Sequence, residues 1–445
     1  MNLVQKLAIA YILGVALLAF GFAVGKYEVF PYNYIQKIEE YIAWNPDAKK
    51  TTLQEKLKNE LGVAPIIFTY PSTIPDATVD RSSELPVPQL HERRGNPKIY
   101  VAPEHQSGYR AIFGAIDFED TFWGGILLDP ESKVVHTWKL STDHLPKSTR
   151  PDLLKNMYGL ALLPDGSVIY TMGEDGGGIV KVDACGEVLW NLEGLFHHTI
   201  SMSEDNEYFW SWEGVHTATY PKLVKASSET GEIVKTIDME DVMSKNEFIH
   251  IFNARKHAKT NKDIFDVSHA NDIDELPDSQ AQQFPNFNAG DLLLSYRNLN
   301  LIFVLDPDTL DIKWWRAGAT DHQHDSDWEN GAITSFSNNM TGARKGHSDI
   351  VRIDVDTGQP STVVDGKDHS IFSIINARQN KTAFDTRMIT SSTQGWALEV
   401  DDNDKLVFSF INTYDNEMGT LLHLSEAYRV KPSYFTHEFW EDCGS

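Results

Sequence analysis

Cysteine is nearly absent from this chain, with only Cys185 and Cys443 in 445 residues. That excludes a disulfide-stapled small scaffold and leaves room for a single bridge. Basic residues are also scarce, 39 Lys and Arg against 64 Asp and Glu, for a net charge of −25. Nucleic acid is excluded as a partner, because a phosphate backbone needs clustered Lys and Arg. An anionic substrate would have to be drawn into a locally basic pocket against an unfavourable overall field. Core-forming side chains, by contrast, are plentiful. Hydrophobic residues make up 41% and aromatic residues 11% of the chain, which excludes wholesale disorder.

Long apolar runs are missing with one exception, the uncharged stretch from Leu7 to Gly25 between Lys6 and Lys26. At ~1.5 Å per residue it reaches roughly 28 Å, close to the hydrocarbon thickness of a bilayer. Residues 1–26 therefore read as a transmembrane signal-anchor, although Ala23-Val24-Gly25 has the small residues of a cleavage site. Everything large follows this segment, so the expected localisation is membrane-anchored by one N-terminal helix. The catalytic part would be exported to the periplasmic or extracellular side.

Residues 27–63 read as a helical juxtamembrane stalk. Tyr34, Ile35, Ile38, Tyr41 and Ile42 recur at helical spacing, and Thr52 can cap a second short helix before Gly62. The stalk reads as a spacer, with a homodimer left open. Residues 64–98, rich in proline and polar side chains, read as a linker.

From residue 99 to 445 a repeat emerges, in which an apolar strand runs into an Asp-containing turn and then a second strand that often ends in Trp. Copies run from Ile126 to Trp138, Ile179 to Trp190, Leu301 to Trp315, Ile350 to Val364 and Ala397 to Phe408, with a degenerate one from Leu223 to Val234. The roughly 45 to 55 residues between copies match a four-stranded propeller blade. The expected fold is all-β, a six-bladed β-propeller, with an insertion at 241–266 that begins helically. A β-sandwich fits long equal periods less well.

Histidines recur just after these hairpins, where inner strands of a propeller converge on its axis. His197 and His198 follow the second hairpin, His269 the third, His322 and His324 the fourth, and His369 the fifth. Two chemistries suit such a cluster. One is a metal site, since His322-Gln323-His324 puts two imidazoles on one face of a strand. The other is nucleophilic and electrostatic catalysis on an anionic group. Arg297, at the end of an inner strand, favours the second, because a guanidinium is no metal ligand and its planar fork suits an oxyanion.

Several phrases resemble the bacterial aryl-sulfate sulfotransferases. They are Val267-Ser-His-Ala-Asn-Asp-Ile-Asp274, Leu294-Ser-Tyr-Arg297, Ile312-Lys-Trp-Trp-Arg-Ala-Gly318, His322-Gln-His-Asp325, Glu329-Asn-Gly-Ala-Ile-Thr334 and Phe196-His-His-Thr-Ile200. The resemblance covers roughly residues 100–440. It implies transfer of a sulfuryl group from an aryl sulfate donor to a phenolic acceptor, with no cofactor and no nucleotide. It implies His324 as the transiently sulfated residue. His269, Asn271, Arg297 and one of His197 and His198, preferably His198, would be the sulfuryl-binding residues. The 241–266 and 280–289 segments look expanded relative to the family.

A metal-dependent propeller hydrolase using His322, His324 and His269 with Asp325 or Asp272 is one competing reading, and a non-catalytic membrane-tethered scaffold is another. In an oxidising compartment Cys185, in a hairpin turn, and Cys443, near the C-terminal end, could bridge and pin the chain end to a blade.

Overall fold

The expected hairpins form, and their aspartates show why. In each case the strand stops at an Asp whose Oδ1 accepts the backbone N–H groups of the turn. Asp306 takes those of Asp308 and Thr309, Asp183 those of Cys185 and Glu187, and Asp401 those of Asn403 and Lys405. Between such turns lie strands like Leu301–Leu305 and Arg387–Ser391, buried along their whole length and covered on both faces.

The computed structural model describes residues 20, 66–67, 95–118, 121–146, 157–172, 177–215, 218, 220–251, 266–340, 346–416 and 420–442. Met1–Glu55 and Lys56–Ser445 form separate compact units. The predicted anchor, apart from Phe20, and the stalk lie outside the described residues. Among the described residues no helix is long and apolar enough to cross a membrane. The predicted linker is not wholly without structure. Ile66–Ile67 pairs with Thr420–Leu421, and Lys98–Val101 adds to the edge of the sheet that contains Leu406–Ile411.

The architecture is an all-β propeller of antiparallel sheets, but its sheets depart from six equal four-stranded blades. Among the described residues three sheets have four strands, one has five, one has seven and one has three. The seven-stranded sheet arises because Val188–Met202, a 15-residue strand, pairs with Gly177–Val182 in its first part and with Tyr208–Glu213 in its second. The insertion begins helically as expected. Met239–Lys245 is a helix whose Asp238 cap accepts the Glu240 N–H.

The inner strands make a closed ring of neighbours. Met157–Leu162 touches Val188–Met202, which touches Ala270–Glu275, then His324–Glu329, then Arg378–Lys381, then Leu424–Val430, which returns to Met157–Leu162. Closure comes from the two ends of the domain sharing one sheet, where Leu424–Val430 pairs with Tyr109–Ala115.

One carboxylate ties this seam together. Glu399, fully buried, accepts from Arg110 on the Tyr109–Ala115 strand at 3.0 and 3.2 Å and from Arg429 on the Leu424–Val430 strand. Removing it would strand two buried guanidinium groups, a change that typically costs ~3–5 kcal/mol. Glu399→Ala should therefore lower the midpoint of urea unfolding, read by tryptophan fluorescence, by an amount in that range. A shift below about 1 kcal/mol would show that the seam does not depend on this pair.

Candidate functional site

At the heads of four inner strands the ladder breaks, and those breaks re-aim side chains. Register shifts occur at Met157/Gly159, Ala270/Asp272, His324/Ser326 and Leu424/Glu426. Bulges of this kind re-aim side chains and are concentrated beside functional sites. Non-glycine residues adopt left-handed backbone there: His198 at φ 66°, His269 at 49° and Asp325 at 53°. Such conformations persist only where the surroundings impose them. The result is a cavity to which each strand of the ring contributes, through Met157, His198, Asn271, His324, Arg378 and Ser425. Asn376, Ala377, Ser392 and His423 complete its wall.

His324 is held in one tautomer. The Asn338 amide nitrogen donates to the carbonyls of Ser373 at 2.8 Å and Asn376 at 3.1 Å, which fixes the amide orientation. Its oxygen, 2.7 Å from His324 Nδ1, must therefore accept, so Nδ1 carries the proton and Nε2 the lone pair. Nε2 is buried and has no hydrogen-bond partner among the described residues, on a side chain that is 5% exposed. Burial, and then the nearby Arg297 guanidinium, hold the imidazole well below its ordinary pKa. The preceding residue anchors this head. Gln323 donates to Ser295 Oγ at 3.0 Å and to the Leu301 carbonyl at 3.1 Å, and its own carbonyl accepts from Asn271 at 2.8 Å.

Behind the cavity runs a relay of imidazoles. His197 Nδ1 lies 2.7 Å from His198 Nδ1, and His198 Nε2 lies 3.0 Å from His269 Nε2. His269 Nδ1 is 2.6 Å from Asp266 Oδ2, with Arg297 Nη2 3.1 Å from the same ring nitrogen. Burial pushes the Asp266 carboxyl up, but the hydrogen bond from His269 and the charge of Arg297 outweigh it and hold the group ionised. A carboxylate needs a donor, so His269 Nδ1 is protonated and its Nε2 accepts from His198. His198 Nδ1 then accepts from His197. Burial and the neighbouring His269 keep His198 well below its usual pKa, consistent with a neutral ring there.

Below the relay sits a buried ionic layer. Arg378 reaches Asp325 at 2.9 Å, Glu426 at 3.2 Å and the His198 carbonyl at 2.8 Å, so it bridges three strands of the ring. Asp272 Oδ2 accepts the Ser326 N–H at 2.6 Å, and Asp274 Oδ2 accepts the Trp328 N–H at 3.2 Å. Burial, followed by the repulsion of Asp325, pushes Asp272 up to about 7. Burial and then Asp272 push Asp274 to about 8. Burial likewise raises Asp327 and Glu426 well above the carboxylate range. Several of these acids are thus substantially protonated at neutral pH, and the arginines face fewer negative charges than the sequence count suggests.

The Arylsulfotransferase (ASST) family profile matches residues 159–413, more than half of the chain. The chain belongs to this family. Among curated proteins none matches it. Similar solved structures include a protein of unknown function from Bacteroides caccae, 11% identical over 73% of this chain and 99% of that one, with a TM-score of 0.46. TolB from Acinetobacter baumannii is 11% identical over 72% of this chain and 66% of that one, with a TM-score of 0.41. A chain of the nidogen/laminin complex is 10% identical over 72% of this chain and 99% of that one, with a TM-score of 0.40. These scores are too low to carry function or fold detail across.

In this arylsulfotransferase the predicted residues fall into two tiers. His198, Asn271 and His324 line the cavity, whereas His269, Arg297 and His197 stand behind His198. His369 departs from expectation. It is the last residue of the short Gly366–His369 helix and pairs with Asp404 at 2.7 Å, away from the cavity wall. The helix lengthens the connection, so the inner strand of that sheet arrives later and brings Arg378 instead. His322 departs as well. It precedes the strand His324–Glu329, at φ 55°, with its backbone N–H on Asn300 Oδ1, so it does not share a strand face with His324. Among the described residues the one trio of ligand atoms close enough for a metal is His347, Asp349 and Asp365, not the axial histidines. Cys185 is disulfide-bonded, and Cys443, the remaining cysteine in the sequence, lies outside the described residues.

The raised carboxyls set a pH dependence whose sign can be worked out. Asp274 titrates near 3.8 unfolded and near 8 folded. The folded state therefore binds more protons between those values, and stability is lost as pH rises from about 4 to about 8. Asp274→Asn removes that loss. The variant's urea midpoint should decline less steeply than the parent's over this window, and parallel pH profiles would contradict the assignment.

Proposed function

We propose that this arylsulfotransferase moves a sulfuryl group from an aryl sulfate ester to a phenol, without a nucleotide donor, through a sulfated His324. The observation that carries the reading is the buried His324 Nε2. Asn338 holds the ring in the tautomer whose lone pair faces the cavity, and no neighbour competes for it. Neutral imidazole attacks sulfur, the S–O bond to the aryl group breaks, and the departing oxygen takes the electron pair. A phenol then attacks the same sulfur and displaces Nε2. Asn271 and His198 line the space where the sulfuryl oxygens would sit, with Arg297 acting through His269. A sulfate monoester carries one negative charge, which Arg378 and Arg297 can balance without a metal.

The remaining expectations belong to the same proposal. Counting Val188–Met202 as shared between two blades turns the seven-stranded sheet into a pair and gives six blades around the ring. The uncharged run at residues 7–25 would tether the chain, with residues 27–63 as stalk, 64–98 as linker and 99–445 as an exported catalytic domain. Pairing of Cys185 with Cys443 would fit that compartment.

Incubation with 4-nitrophenyl sulfate and phenol, with no nucleotide added, should give phenyl sulfate, ping-pong kinetics, and a burst of 4-nitrophenol when phenol is withheld. His324→Ala should abolish burst and turnover together. Asn338→Ala, which frees the tautomer without touching Nε2, should slow the burst by about 10²-fold, in the range typical of lost general acid–base or positioning groups. Unchanged turnover in His324→Ala would remove the assignment. Loss of activity with a chelator, restored by zinc, would move the histidines into a metal site.

A further inference from the structure

The cavity has a second set of buried polar groups with no role in the chemistry described so far. Both ring nitrogens of His423, Ser392 Oγ and Ser425 Oγ are buried and lack hydrogen-bond partners among the described residues. All three side chains line the cavity and are at most 8% exposed. A buried imidazole with neither nitrogen paired forfeits about 1–3 kcal/mol per unsatisfied group, so the site is arranged for something that supplies hydrogen bonds. His423 is held in place from behind. Its backbone carbonyl accepts the Ala115 N–H at 3.0 Å, and its ring meets Trp123 edge-on at 6.2 Å. Neither His423 nor Ser425 falls within residues 159–413, where the family profile matches.

Ring order places this wall relative to His324. In a ring of six strands, Met157–Leu162 lies opposite His324–Glu329, and Leu424–Val430 lies opposite Ala270–Glu275. The His324 side holds Asn271, with Arg297 behind it through the imidazole relay. The facing wall offers an imidazole, two hydroxyls and the Met157 thioether, with Arg378, paired to Glu426, beside it. A sulfuryl anion belongs on the first side. A neutral aromatic alcohol belongs on the second, where a thioether can contact its ring edge. Displacement at a tetrahedral centre puts the incoming and departing atoms in line on opposite sides, as in phosphoryl transfer. With His324 Nε2 on one side of sulfur, the aryl oxygen lies toward Met157, whose strand adjoins Leu424–Val430 and so brings that oxygen beside the His423 segment.

We propose that His423, with Ser392 and Ser425, forms the subsite for the aryl oxygen, and that His423 takes the proton of the acceptor phenol. The proposal rests on the reading of His324 as the nucleophile. As the phenol attacks, the O–H proton passes to a ring nitrogen of His423 and the oxygen lone pair forms the new O–S bond. The N–S bond breaks, and its electron pair returns to His324 Nε2. His423 is left as imidazolium and gives the proton to the departing oxygen in the next donor cleavage, so the cycle balances. Burial brings the free imidazole down to about 4, so it enters the cycle neutral. The incoming anion then favours the charged form.

Separating the two half-reactions tests this. The donor burst with 4-nitrophenyl sulfate reports sulfation of His324, and its leaving group is stable enough to depart without a proton. Transfer to phenols of graded acidity reports the second step. In His423→Ala the transfer to unsubstituted phenol should fall by ~10² or more beyond any change in the burst. The dependence of the transfer rate on phenol acidity should steepen, and added imidazole should restore part of it. Ser425→Ala should raise the acceptor KM by about tenfold with kcat little changed. A burst and a transfer that fall by the same factor, or a transfer unaffected by His423→Ala, would overturn the subsite. Absence of any burst in the parent enzyme would instead sink the sulfated His324 on which it rests.

Discussion

Pairing between Leu424–Val430 and Tyr109–Ala115 is the contact on which the rest of the site depends. It joins chain segments more than three hundred residues apart and turns a row of sheets into a ring. Once the ring is closed, strand heads that are distant in sequence face one another across a few ångströms. Arg378 can then reach Asp325, Glu426 and the His198 carbonyl at once. The same closure brings His423 and Ser425 to the cavity that holds His324. The seam is reinforced where it is most exposed to strain, with Glu399 buried between Arg110 and Arg429. Two guanidinium groups on one carboxylate leave a surplus positive charge inside the protein. Their further donors are taken up by the His105 and Ser107 carbonyls, and both stack on Phe rings.

The closed ring also decides which buried groups keep their charge. Desolvation penalises each buried charge, but unequally according to pairing. Arg378 keeps its proton because three carboxyls surround it. Burial raises the carboxyls on both sides of that pairing, Asp272 and Glu426 beside Arg378 and Asp274 and Asp327 beyond it, so protons replace part of the negative charge. The inner layer therefore shifts toward positive charge without any excess of basic residues.

Much of the fold was legible from the sequence because the hairpin aspartates are local devices. Each caps its own turn, so the periodicity of Asp after an apolar strand carries through into the paired strands around Asp183, Asp306, Asp354 and Asp401. The fusion of two expected blades was not legible. Val188–Met202 contains no proline, and Gly194 near its midpoint, at a glycine-favouring φ of 153°, does not end it. Counting residues from each hairpin located His198 and His324 but failed at His369, since a short helix with its own cap, Asp365, absorbed the extra residues. Arg378, Asn338 and His423 gave no such signal. Their roles come from which strand meets which across the ring, a property of closure rather than of spacing.

Specific phrases in the chain now acquire separate physical jobs. In His322-Gln323-His324 the glutamine, not the first histidine, does the holding: its amide is spent on Ser295, Tyr296 and Leu301. In Val267-Ser-His-Ala-Asn271 the histidine transmits the fixed charge of Asp266 to His198, while the asparagine grips the Gln323 carbonyl of the next strand. Each residue fixes a neighbour on another strand, so the order of the imidazoles propagates from Asp266 inward, and independently from Asn338 to His324. Two separately anchored hydrogen-bond chains thus end in one cavity. Among the described residues His324 ends its chain with an unpaired Nε2, whereas both ring nitrogens of His198 are engaged by neighbouring imidazoles.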